Sequence, residues 1–284
     1  MTSEQSTPSN AGDRPDPHLY RSEPVSFVRR GDRLNPRRQK TWDRSHAQYI
    51  VEVPRERAST SVAAGAEVDW SAVFGRTAPL LVDIGSGLGE STAQAATDHP
   101  DWNIIAVEVY TPGLAALLVR IEDEGLENIR GIQANAPEVL DHLLPEGGVQ
   151  EVWVFFPDPW HKTRHHKRRL VSPSFAERVS RVLAPGGVLR LATDWSSYAE
   201  QMRAVMEAND AFENLHPGRL AGADSPLFAV RSQGLEGKEP WPEAEAADPD
   251  GGWAPRFDGR PLTSFENKAL RAGRLIFDLT YRRT

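Results

Sequence analysis

Pro79-Leu80-Leu81-Val82-Asp83-Ile84-Gly85-Ser86-Gly87-Leu88-Gly89 decides the fold. An apolar run interrupted only by Asp83 reads as a strand buried on both faces. Glycines at three alternate positions give a tight turn, and 90–98 reads as the helix that follows. The alternation repeats outward. Strands are expected at 103–109, 129–134, 152–156 and 188–193, and helices at 112–124, 138–144, 175–183 and 198–207. In 112–124, Leu114, Leu117, Leu118 and Ile121 recur at i, i+3, i+4 and i+7, the spacing of one helix face. Two later strand candidates lie at 227–231 and 275–281. The pattern predicts an α/β, Rossmann-like fold: a mostly parallel, seven-stranded sheet with helices on both faces.

The chain has 284 residues and is 39% hydrophobic, enough for one domain with ragged ends. Residues 1–24 are polar and Pro-rich and are expected to be a disordered tail. A single domain is expected over 25–284, with a basic N-terminal arm at 25–60 and an acidic loop insertion at 232–258. The absence of cysteine excludes disulfides, thiolate catalysis and Cys-ligated metals. No apolar run approaches the ~18 residues of a membrane span, and the N-terminus lacks an apolar leader core. A cytoplasmic protein is expected. Monomer and homodimer remain open.

A net charge of -7 argues against a generally basic nucleic-acid coat. Distribution matters more than the sum. Basic residues gather at Arg29-Arg30, at Arg37-Arg38-Lys40 and over 162–169, while acid collects at 236–250.

Gly85, Gly87 and Gly89 are spaced G-x-G-x-G, which is neither the dinucleotide fingerprint nor a P-loop. Asp83 just before them would repel a pyrophosphate and suits a ligand bearing an ammonium group. S-adenosyl-L-methionine has an ammonium, a cationic sulfonium and no phosphate. Glu108, ending the second strand, can accept from both ribose hydroxyls. Asn135, after the third, can reach an adenine edge.

Phe155-Phe156-Pro157-Asp158-Pro159-Trp160-His161-Lys162 ends the fourth strand, and Thr163-Arg164-His165-His166-Lys167-Arg168-Arg169 follows at once. The flanking prolines aim Asp158. A carboxylate there can accept from N1–H and the exocyclic amine of guanine. Trp160 reads either as a stacking surface or as a cap on the core. No acid interrupts the basic run, so Arg164, Lys167, Arg168 and Arg169 are read as phosphate contacts. Its histidines lack a metal-ligand pattern, and no metal is expected. Asp194, after the fifth strand, is a rim carboxylate or a helix N-cap. Thr263 to Glu266 has the form of a capping box.

With these residues in place, the chain resembles the bacterial tRNA (guanine-N7-)-methyltransferases, from about residue 25 onward. The most specific resemblance is Phe155 to Lys162 with Lys167-Arg168-Arg169. Asp83 to Gly89, Glu108, Ala192-Thr193-Asp194 and Arg260 to Glu266 support it. That family is S-adenosylmethionine-dependent, has the class I methyltransferase fold and modifies guanosine 46 of the tRNA variable loop. The resemblance implies cofactor contacts at Asp83, Glu108, Asn135 and Asp158, with Asp158 also the catalytic position. It implies substrate contacts at Lys162, Asp194, Thr263, Ser264, Phe265 and Glu266. In that family position 83 is often Glu and position 135 often Asp. The competing readings are a methyltransferase for another RNA or a small molecule, and an inactive RNA-binding module.

Overall fold

A computed structural model describes residues 33–56, 58–221 and 251–284. Its seven strands are β1 (Leu80–Ile84), β2 (Asn103–Glu108), β3 (Ile129–Gln133), β4 (Val149–Phe155), β5 (Leu183–Thr193), β6 (Phe212–Asn214) and β7 (Phe277–Arg283). The sheet order is β3-β2-β1-β4-β5-β7-β6. The first five strands pair in parallel, and β7 runs antiparallel between β5 and β6. Every residue of β1 is buried, as expected of a central strand covered on both faces.

The helices are α1 (Pro36–Tyr49), α2 (Trp70–Phe74), α3 (Glu90–Asp98), α4 (Thr111–Glu124), α5 (Ala136–His142), α6 (Pro173–Val182), α7 (Ser196–Glu207) and α8 (Ser264–Arg271). α4 buries Leu114, Leu117, Leu118 and Ile121, the face its periodicity predicts. The basic arm becomes α1 from residue 36. Asn35 caps it by accepting from Arg38 N, and Pro36 begins it. α1 docks on α4 through Glu122, which accepts from Thr41, Arg44 and Ser45.

The late elements depart from the sequence expectation. Strand β6 has three residues, too few for a periodic signal, and the candidate at 227–231 lies outside the described residues. So do the expected tail at 1–24 and the acidic stretch up to residue 250. Its end, 251–258, is irregular but anchored to the sheet. Trp253 is fully buried, and Ala254 bridges to Asp278 beside β7. Phe257 packs edge-on against Trp153 of β4, with ring centroids 5.2 Å apart. β5 begins at Leu183, before the expected break at Pro185-Gly186-Gly187, and a register slip against β4 between Val149 and Glu151 absorbs the difference.

The order of the parallel strands reverses between β1 and β4. The carboxyl ends of these strands diverge there, leaving a crevice.

Candidate active site

A cavity of about 470 Å³ opens at that reversal. β1, β2 and β4 supply its floor through Asp83, Glu108 and Phe155. The turn leading into α8 covers one side with Thr263, Ser264 and Phe265.

The glycine turn takes the left-handed backbone that its sequence suggests, with φ of 74° at Gly85 and 57° at Gly87. Glu108 braces it. One carboxylate oxygen accepts from Gly87 N at 2.8 Å, the other from Val109 N at 2.7 Å and Tyr110 N at 2.9 Å. Burial pushes the Glu108 pKa up against these three donors, and the Asp158 charge adds to the rise. Asp83 is buried behind the turn and accepts from Thr92 Oγ1 at 2.6 Å. Burial raises its pKa to about 7; the Thr92 bond opposes the rise and Glu108 contributes to it. Asn135 also lines the cavity, and its backbone N–H donates to Thr60 O.

Gly89 was expected to hold cofactor and does not line the cavity. A Cβ there would lie 2.6 Å from Leu117 Cδ1, so this glycine lets α3 approach α4. Gly113, which nothing in the sequence reading singled out, packs directly under Gly87. A glycine in the first turn of an otherwise good helix was the available signal, because it costs helix stability unless something lies close.

Asp158 is exposed at the cavity wall, between two non-glycine residues with left-handed backbones, Phe156 at φ 54° and Trp160 at φ 42°. Such conformations cost on the order of 1–3 kcal/mol each and gather at functional sites. Trp160 is not a cap on the core. It lines the cavity, half-buried, with Arg168 over its ring at 5.0 Å and His165 edge-on at 5.7 Å.

The basic run forms a 3-10 turn, Thr163–Arg168. Lys162, Arg164 and Lys167 are exposed, and Arg168 reaches the cavity. Arg169 corrects the expectation of a phosphate contact. It is 1% exposed and donates to Pro159 O, Ser197 O, Ser197 Oγ and Gln201 Oε1, so it holds the turn to α7.

Asp194 and Glu266, two further expected substrate residues, are engaged by arginines of the chain itself. Asp194 accepts from Arg274 Nε at 2.8 Å and does not cap α7, whose cap residue is Trp195. Thr263 accepts from Glu266 N at 3.1 Å, half of the expected capping box. The Glu266 carboxylate does not complete the box. It is buried and accepts from Arg256 and Arg260, which outweigh burial and hold its pKa below the ordinary value. A different acid serves the helix start: Glu90 of α3 accepts from Ser264 N at 3.0 Å and from its hydroxyl at 3.1 Å. Glu90 thereby ties the glycine-turn helix to the α8 turn. Among the described residues, no group of three or more His, Cys, Asp or Glu is arranged to hold a metal ion. No described helix is long and apolar enough to cross a membrane.

Residues 77–232 match a family described as "Putative methyltransferase". The chain is 53% identical over 279 residues to a tRNA (guanine-N(7)-)-methyltransferase of Paenarthrobacter aurescens (strain TC1), covering 93% of each chain. The chain belongs to the tRNA (guanine-N7)-methyltransferase family. A relative of the same description from Arthrobacter sp. (strain FB24) is 54% identical, over 93% of this chain and 88% of its own. One from Cutibacterium acnes (strain DSM 16379 / KPA171202) is 44% identical, over 91% of this chain and 83% of its own. In this member of the tRNA (guanine-N7)-methyltransferase family, the glycine turn, Glu108 and the Asp158 loop meet at one cavity.

Proposed function

We propose that this enzyme transfers a methyl group from S-adenosyl-L-methionine to N7 of guanine in tRNA, at guanosine 46 of the variable loop. The observation that carries the reading is one cavity bounded on one side by Asp83, Glu108 and the glycine turn, and on the other by Asp158, Trp160 and Arg168. A cytoplasmic location accords with a tRNA substrate.

The residues present fit the cofactor. Ser86 Oγ is buried in the turn without a hydrogen-bond partner, a donor waiting for an acceptor. Three buried or half-buried carboxylates, Asp83, Glu90 and Glu108, favour a cation over a phosphate. Asp83, Ser86, Glu108 and Asn135 would hold it. When bound, S-adenosylmethionine supplies an electrophilic methyl group on a positively charged sulfur.

Glu108 is braced by three backbone donors, and Oε2, which accepts from Gly87 N, keeps a lone pair for a ribose hydroxyl. Asp158 orients the guanine by accepting from N1–H and the exocyclic amine. Guanine N7 carries an in-plane lone pair at neutral pH, so no residue needs to remove a proton before attack. The protein's contribution is positioning and exclusion of water. Trp160, stiffened by Arg168 and His165, offers a face to a base exposed from the tRNA fold. Lys162, Arg164, Lys167 and Arg168 bring the phosphate backbone to the cavity mouth.

Methyl transfer from labelled cofactor to tRNA tests the reading. Guanosine-46 tRNA is expected to accept label at N7, and tRNA with adenosine at that position to accept none. Equal labelling of both would refute the position, and labelling of neither would refute the substrate.

A further inference from the structure

Arg260 lies outside the cavity, yet it touches both walls. Its side chain is fully enclosed, and its guanidinium meets two carboxylates in a double fork. Nε and one terminal nitrogen donate to Glu266 of α8 at 3.2 and 3.3 Å. The terminal nitrogens also donate to Asp278 of β7, one of them at 3.1 Å. The guanidinium face covers the rings of Phe155 and Phe156, at 5.1 and 5.5 Å from their centroids. Arg256 joins from outside through Glu266 and the Arg260 carbonyl, leaving two cations against two carboxylates.

The connections on either side of this cluster are the functional ones. Residues 261–265 between Arg260 and Glu266 form the turn that brings Thr263, Ser264 and Phe265 to the cavity. Phe156, under the guanidinium, has the left-handed backbone that immediately precedes Pro157-Asp158. Asp278 is paired in register with Ala192 of β5, and Ala192 O accepts from Phe156 N at 2.8 Å. One guanidinium therefore references the α8 turn and the Asp158 loop to the same point of the sheet.

We propose that Arg260 is a positioning residue for methyl transfer: it fixes the Asp158 loop and the Thr263–Ser264–Phe265 turn relative to each other through Phe156, Glu266 and Asp278. This deepens the methyltransferase reading and rests on it. A planar fork suits the task because it sets the angle between its two carboxylates as well as their distance, which an ammonium cannot do. Small misplacements between reacting groups are costly to rate even where binding survives.

The test is steady-state methylation of tRNA by the full chain, wild type against Arg260→Lys, with the folded fraction measured by circular dichroism at assay temperature. Arg260→Lys keeps the charge and loses the fork. Its kcat per folded molecule is expected to fall on the order of tenfold to a hundredfold. Cofactor Kd and tRNA KM should stay within about threefold, the split of an interaction that matters at the reacting centre. Asp278→Asn removes one carboxylate and should show the same split at smaller size, and it decides the matter if Arg260→Lys does not fold. Unchanged kcat per folded molecule overturns the proposal, as does a loss confined to KM. Failure of both variants to fold reduces Arg260 to a stabilising role and also overturns it. A wild-type chain that methylates no tRNA sinks the underlying reading as well, whereas an active wild type with unaltered variants sinks this proposal alone.

Discussion

A Cβ on Gly113 would lie 2.3 Å from the carbonyl oxygen of Gly87 and 3.3 Å from Cγ of Glu108. The first turn of α4 is therefore the floor on which the glycine turn rests. Gly113→Ala must push Gly87 and Glu108 toward the cavity, because the atom it meets is backbone. Overpacking of this kind costs about 1–3 kcal/mol. Cofactor affinity measured by titration calorimetry should weaken by roughly tenfold, with tRNA affinity unchanged. Wild-type cofactor affinity in this variant would show that the turn shifts freely.

With Asp83 in the proposed cofactor site, cofactor binding is expected to depend on pH. Its pKa is pushed up to about 7 by burial, so the empty protein holds it largely protonated below that pH. A cationic ligand favours the ionised form, so affinity should rise as pH increases through about 7. Stability runs the other way. The folded chain binds this proton more tightly than the unfolded chain does, so its contribution is present below the ordinary aspartate range and is lost as pH rises toward 7. Asp83→Asn should flatten the affinity profile and raise the thermal midpoint of the cofactor-free protein at pH 8. An affinity profile of unchanged slope in the variant would assign the pH dependence elsewhere.

Asp158 sits at the cavity wall on a loop held by strained neighbours, and its side chain makes no hydrogen bond to the core among the described residues. Asp158→Ala should fold normally and bind cofactor within about threefold of wild type, while methyl transfer falls by at least about a hundredfold. Loss of cofactor affinity without a separate loss of rate would place Asp158 with the cofactor rather than the guanine.

The basic run divides into two classes of arginine. Lys162→Ala and Arg168→Ala should each weaken tRNA binding and reduce the slope of log K against log salt by about 1. Arg169→Met should instead cost about 2–4 kcal/mol of folding stability, because it strands the Pro159 and Ser197 carbonyls. Denaturant melts alongside salt titrations separate the two classes. A stable Arg169→Met chain with weakened tRNA binding would restore that residue to the phosphate-contacting group.

The five parallel strands were legible as largely apolar runs bounded by turn residues, although β3 is only partly apolar and β5 extends to eleven residues, and the glycine-turn end of the cavity followed from Asp83, the glycines and Glu108 lying at strand ends. Sequence motifs mark which residues matter but not which way they face. Arg168 and Arg169 are neighbours in one basic run, yet one reaches the cavity and the other is enclosed. Glu266 has the spacing of a capping box, and two arginines claim its carboxylate first. Glu90 serves Ser264 across 174 positions, a partnership no local pattern records. β6 was too short to show a period, and Trp253 and Phe257 were hidden within the acidic, Gly- and Pro-rich stretch 232–258.

β7 completes the sheet from residues 277–283 and carries Asp278, the anchor of Arg260. During synthesis the parallel strands emerge first and can pair in order, but β5 keeps an open edge until β7 arrives. The nascent chain thus passes through a stage in which the glycine turn exists while the Asp158 loop and the α8 turn have no common reference. Premature termination within the last strand would leave a partly formed cofactor site without catalytic competence, and an unpaired sheet edge open to aggregation.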